Sequence, residues 1–224
     1  MQRKLPIFLS FNAGYVDTAS FLSIGGLFAA HVTGNFVTLG YSLVTNTQSA
    51  TLAKLFALPM FCFAVLISKV IDQYFLRHQK LSYSFLLKFK FFLYLLAAFV
   101  SEKYIPFSLE YSWPAFTVGM LLIFSMGIQN AIHRLYWIKE APTTVMTGST
   151  TQLMVDLGSI ITKDKSVDRV AMTNRFKKVL PQIISFTIGC ASAGLIYHFY
   201  LKFILFIPPI LMIAIYFFKN DYQS

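Results

Sequence analysis

Six stretches of the sequence are each apolar over roughly the 20 residues that a helix needs to cross a hydrocarbon core about 30 Å thick. A chain with that pattern has few folds open to it beyond a bundle of membrane helices, because lipid satisfies no backbone polar group. The stretches run over residues 5–29, 52–71, 85–101, 114–133, 179–200 and 203–218. Lys88 and Lys90 enter the third near one end, where their long stems are expected to reach the headgroups. Two further stretches, 30–44 and 143–161, carry little charge but are rich in Thr, Ser, Asn and Gly, and they would raise the number of crossings to eight if they spanned.

Charge placement decides between six and eight, since Lys and Arg collect on the cytoplasmic side of a membrane protein. With six crossings and a cytoplasmic N-terminus, the inner segments hold Arg3, Lys4, Arg77, Lys80, Arg134, Lys139, Lys163, Lys165, Arg169, Arg175, Lys177 and Lys178. The outer segments hold almost no basic residue. Both termini are therefore expected in the cytoplasm, with Arg77 and Lys165 inside and Thr47 and Glu110 outside. The same clustering explains the formal net charge of +10 without nucleic acid as a partner, in a chain that is 56% hydrophobic and only 12% charged. A mean hydropathy of +0.62 excludes a soluble globule of this size. Cys62 and Cys190 lie inside apolar runs, where a thiol acts as a small hydrophobe. Arg3 and Lys4 ahead of an apolar run resemble a signal peptide, but Asp17 interrupts the run and no cleavage site follows, so a retained first helix is expected.

The chain also repeats itself. Gly14-Tyr15-Val16-Asp17-Thr18 followed by Val32-Thr33-Gly34-Asn35 is matched by Gly127-Ile128-Gln129-Asn130-Ala131 followed by Met146-Thr147-Gly148-Ser149. Each half continues to a helix with a proline near its start, Pro59 or Pro181. Three crossings per repeat, over about 5–101 and 114–218, force the second repeat upside down, the arrangement of inverted-topology transporters and of channels with paired half-helices. The expected fold is all-α in a single integral membrane domain: six transmembrane helices as two inverted three-helix repeats, each with a polar Thr-Gly-Asn or Thr-Gly-Ser segment able to re-enter the membrane.

The run from Gly14 to Leu22, then Gly25-Gly26-Leu27-Phe28, His31-Val32-Thr33-Gly34-Asn35 and Gly127-Ile128-Gln129-Asn130-Ala131, resembles the YoaK-like family of bacterial inner-membrane proteins, domain of unknown function 1275. The resemblance covers nearly the whole chain and implies a multi-helix protein of the bacterial inner membrane. It implies no substrate. Thr147-Gly148-Ser149 departs from the Thr-Gly-Asn of the first half, so the two segments need not share one role.

Asp17 is the sharpest candidate for chemistry, since a carboxylate inside a membrane helix costs about 2.5–3.5 kcal/mol on insertion scales. It is either a proton- or cation-binding group facing a cavity or a fastening between helices. Its counterpart Asn130 is expected to approach it and donate to it. Thr33 and Asn35 offer hydroxyl and amide groups at the start of a half-helix, where backbone N–H groups also point outward, or else they merely cap that helix. His31 stands beside them as an interfacial histidine or a gate. Gln129 and Thr147 complete the candidate set. Gly189, Cys190, Ala193 and Gly194 mark close helix packing. No cofactor, metal or nucleophile motif is present, and an enzyme is not expected. The expected function is a small-solute transporter or channel-like protein, whose partners are the lipid bilayer and a small polar solute, proton or cation. The alternative is a non-transporting scaffold or accessory subunit.

Overall fold

In the computed structural model of the chain, the described residues are 4–45, 50–107, 113–138, 140–145, 147–163 and 168–217. Arg3, Thr47, Glu110, Lys139, Met146, Lys165 and Phe218 fall outside them. Among the described residues the fold is all-helical: α1 (Lys4–Ser23), α2 (Gly34–Thr45), α3 (Thr51–Arg77), α4 (Tyr83–Tyr104), α5 (Trp113–Tyr136), α6 (Thr147–Ile161), α7 (Arg169–Tyr200), and, after a 3-10 turn at Leu201–Phe203, α8 (Ile207–Phe217).

Four of these helices, α3, α4, α5 and α7 with its 3-10 turn, are long and apolar enough to cross a membrane. The remaining two expected crossings correspond to α1, with 20 residues, and the apolar α8, with 11. The polar segments of the two halves become the short helices α2 and α6, at 12 and 15 residues roughly 18 and 22 Å long, well under the bilayer core. Large apolar side chains such as Val37, Val44, Leu66, Phe92 and Phe217 stay exposed on the outer faces, which suits a surface covered by lipid.

α1 is the central helix, buried on all sides. It packs along α7, and the contacts advance together on both: Ser185 Oγ donates to the Ile7 carbonyl at 2.7 Å, and Gly189 lies against Phe11 and Tyr15. The two helices therefore run parallel. Backbone touches backbone at this crossing, since a Cβ on Gly14 would stand 2.1 Å from the Phe186 carbonyl oxygen and one on Gly189 would stand 2.2 Å from that of Phe11. Gly194 meets nothing within 4 Å, so only part of the expected small-residue stripe is an interface.

α5 packs parallel to α3 in the same manner, with Phe56 on Phe116, Phe63 on Phe124, and Gly127 against Ala64. α1 and α5 are antiparallel to each other, because Asn12 meets Gln129 while Leu27 meets Gly119. α4 also runs antiparallel to α5, from Tyr83 on Tyr136 to Tyr94 on Met126. α2 rests on α3, α6 on α7, and α8 on α1 and α4. Pro59 and Pro181 each stand inside a long helix, where they release the carbonyls of Leu55 and Lys177 from the ladder.

Buried polar pairs fasten the short helices. Ser42 of α2 accepts from Lys54 of α3 at 2.9 Å. Asp156 of α6 takes a two-pronged contact from Arg175 of α7 at 2.6 and 2.8 Å, plus Gln152 at 2.9 Å. Ser42 and Asp156 each stand nine residues beyond the threonine of their Thr-Gly landmark. Asp72, at the end of α3, accepts from Ser82 at 2.9 Å, from Lys69 at 3.2 Å and from Tyr136.

Candidate functional site

The chain leaves α1 through a turn in which Gly25 and Gly26 take φ of +52° and +80°, a conformation that side chains with a Cβ rarely adopt. The turn sends the α1–α2 loop back against α1, where Asp17 holds it. Asp17 Oδ1 accepts from the backbone N–H groups of Ala30 at 2.7 Å and His31 at 3.2 Å. Asp17 Oδ2 stands 2.6 Å from His31 Nδ1. The carboxylate, only 5% exposed, thus regains by three contacts what it loses in leaving water. Ser20 donates to the Asp17 backbone carbonyl at 2.9 Å.

His31 reaches further. Its Nε2 stands 2.8 Å from the carbonyl oxygen of Val145, in the α5–α6 loop. Counting back two residues from Thr33 and Thr147 gives His31 and Val145, so the residues that meet are counterparts in the two halves. The Phe186 ring of α7 closes the site, its centre 5.6 Å from that of the His31 ring and its plane nearly perpendicular to it.

Three consecutive residues of the α5–α6 loop join the rest of the polar interior to this contact. Thr143 Oγ1 accepts from Gln129 Nε2 at 3.0 Å, Thr144 Oγ1 donates to Asn130 Oδ1 at 3.0 Å, and Val145 meets His31. Gln129 Nε2 also donates to the Leu9 carbonyl at 3.0 Å. Its Oε1 accepts from Asn12 Nδ2 at 3.5 Å and from Lys90 Nζ. Lys90 is fully buried, with its ammonium 5.1 Å from the centre of the Tyr94 ring. One hydrogen-bond acceptor and one ring face this amine, a thin shell for a buried lysine. Asn12, which donates to the same Gln129 Oε1, has its own Oδ1 buried with no hydrogen-bond partner.

Of the six candidates, Asp17, Gln129 and Asn130 therefore belong to one connected polar core. The expected Asp17–Asn130 contact is replaced by separate ones: Asn130 takes Thr144 and donates to the Met126 carbonyl at 3.0 Å, because each side chain instead holds the loop that follows its own helix. Asn35 closes that loop in the first half. Its Oδ1 accepts from Phe28 N–H and its Nδ2 donates to the Phe28 carbonyl, both at 2.8 Å. The second half has Pro142 at the position matching Phe28, with no N–H to offer, which explains why Ser149 stands where Asn35 does. Gln182 of α7, with its amide turned so that Nε2 faces the loop, serves instead and donates to Ala141 at 3.0 Å and Pro142 at 2.6 Å. Thr33 and Thr147 are exposed at the starts of their short helices. Thr147 and Gly148 adjoin an open pocket of about 460 Å³ between α6 and α7, lined by Gly148, Gln152, Arg175, Lys178 and Glu140.

Lys90 is the residue that sequence reasoning misplaced. It was expected to reach the headgroups, but α4 begins at Tyr83, so Lys90 lies two turns in and faces α5. Among the described residues no group of three or more His, Cys, Asp or Glu is arranged to hold a metal.

A family model described as "Protein of unknown function (DUF1275)" matches residues 5–218. The chain belongs to the DUF1275 family. It is 27% identical over 209 residues to the "UPF0700 transmembrane protein YoaK" of Bacillus subtilis (strain 168), covering 92% of this chain and 89% of that protein. No solved structure matches it. Membership of a transmembrane family accords with the four spanning helices and the apolar outer faces.

Proposed function

We propose that this DUF1275 protein is a small-solute transporter or channel-like protein of the bacterial inner membrane, with both termini cytoplasmic, whose site is the polar core between its two halves. The observation that carries this reading is a run of polar contacts drawn from both halves: buried Lys90 and Gln129 lead to Thr143, the next two residues of that loop are Thr144 and Val145, and Val145 meets the half-buried His31, which holds the buried Asp17. A protein that only anchors helices has no need of a buried lysine amine with spare donors or of a buried Asn12 Oδ1 with no partner.

Six crossings as two inverted repeats fit the packing. Exchanging α1–α4 for α5–α8 turns the α1–α7 contact into α5–α3, α2–α3 into α6–α7, and α4–α5 into α8–α1, and every one of those pairs exists. The antiparallel course of α1 and α5 is what inversion requires. The competing reading, a scaffold or accessory subunit, is favoured by Asn35, whose amide is wholly spent on Phe28.

Comparing the solutes accumulated by cells with and without the protein tests the function. Single cysteines at positions 17, 33 and 130, probed with a small hydrophilic thiol reagent, separate the readings. Modification at 17 and 130 supports a water-reached site, whereas exclusion from both, with unchanged solutes, leaves the scaffold.

A further inference from the structure

The contacts of His31 fix a proton count. A carbonyl oxygen only accepts, so Nε2, 2.8 Å from Val145, carries a hydrogen. Nδ1 and Asp17 Oδ2 at 2.6 Å share a second one, whichever atom it is drawn on. Asp17 Oδ1 is already held by two backbone N–H groups. The pair is thus neutral overall and holds one proton more than a neutral imidazole beside a free carboxylate. Remove that proton and one contact must open. If the remaining hydrogen stays on Nε2, the Nδ1 lone pair faces a carboxylate at 2.6 Å; if it moves to Nδ1, the Nε2 lone pair faces the Val145 carbonyl.

We propose that Asp17 and His31 form a proton-binding site whose single proton clasps the α1–α2 loop to the α5–α6 loop, and that loss of the proton to water frees the two loops from each other. As the coupling ion of a solute carrier this proton rests on the function proposed above; as a clasp between the halves it does not.

Few other polar groups face the pair. α7 presents the Phe186 ring and the Cys190 thiol, the latter interacting with Asp17 and Thr18. The α5–α6 loop presents a carbonyl. α2 presents Asn35, which is uncharged and engaged with Phe28. The ammonium of Lys54 in α3 stands by Gly26, at the far end of the loop, and is bonded to Ser42. No second carboxylate or cation contacts the pair among the described residues.

The test uses the full chain in lipid nanodiscs, with Cys62→Ser and Cys190→Ser, and spin labels on cysteines at 33 and 147, both exposed starts of short helices. The inter-label distance is measured from about pH 4 to about pH 10, which spans ordinary carboxylate, imidazole and amine titration. Histidine ring ¹⁵N spectra of the same protein follow the proton, His31 being assigned by its absence in His31→Gln. We expect the distance distribution to shift as one His31 nitrogen loses its hydrogen, and the shift to vanish in His31→Gln. A wild-type distribution that does not change with pH overturns the clasp, and so does a shift that persists in His31→Gln. A titrating clasp in a protein that moves no solute removes the transporter reading alone. Solute movement with no titrating clasp removes this proposal alone.

Discussion

The two halves make the same crossing and then hold the following loop by different chemistry. Gly14 in α1 and Gly127 in α5 each admit a long helix of the other half, but Gly14 is pressed against a backbone carbonyl and Gly127 against the Ala64 methyl. Past the crossing, the first loop is bound by a buried carboxylate, an imidazole and Asn35, and the second by Asn130, Thr144 and Gln182, with His133 Nε2 3.2 Å from the Glu140 carbonyl and Lys178 3.3 Å from the Glu140 carboxylate. The buried carboxylate–imidazole pair therefore stands in one half, and at this contact the other half supplies a carbonyl for it to grip.

The largest effect expected from breaking this comparison is at the crossings. Gly14→Ala should cost about 3 kcal/mol, the upper end for overpacking, because its Cβ meets the Phe186 carbonyl and only a backbone shift relieves it. Gly127→Ala should cost about half as much. Thermal unfolding of the purified proteins in detergent measures both, and equal losses would mean that the two crossings are equally tight.

Next come the loop anchors. Asp17→Leu should destabilise by about 2 kcal/mol, since it strands the Ala30 and His31 N–H groups. Asp17→Asn keeps size and an acceptor but cannot share the proton, so it should leave the folded protein near wild-type level while lowering solute accumulation at least about tenfold. Normal activity in a well-folded Asp17→Asn protein would return Asp17 to a fastening role. A smaller contrast is expected between Asn35→Ala, about 1 kcal/mol for its two bonds to Phe28, and Ser149→Ala, within about 0.5 kcal/mol. Smallest of all, Thr144→Val should cost about 0.6 kcal/mol, the average for a hydrogen bond inside a membrane protein. A loss several times larger would show that the second half's loop depends on this one bond as the first does on Asp17.

Much of this was legible in the sequence. The Gly-x-x-Asp and Gly-x-Gln-Asn runs, the Thr-Gly landmarks and the prolines mark the repeat, and an interrupting Asp in an apolar helix announces itself by its cost. What was hidden lies in pairings across long separations. His31 looks interfacial until Val145, 114 residues away, lies on its other side. Lys90 looked like an end residue because hydropathy marks where apolar character starts, and α4 starts earlier, with polar Tyr83 and Ser84 in its first turn. Asn35 looked like a ligand group because nothing local shows that Phe28 folds back onto it.

The glycine-lined crossings have one more consequence. α1 is pressed backbone to backbone against α7, and α5 sets Gly127 against the Ala64 methyl of α3, so each tightly joined pair contains one helix from either half of the chain. The two halves of the sequence are therefore not the pieces that can shift as solids. Any rocking motion must occur between an α1–α7 body and an α3–α5 body, with the covalent chain crossing between them twice, from α1 to α3 and from α5 to α7, like lacing. Neither half, expressed alone, has the surface that its own central helix is shaped to meet.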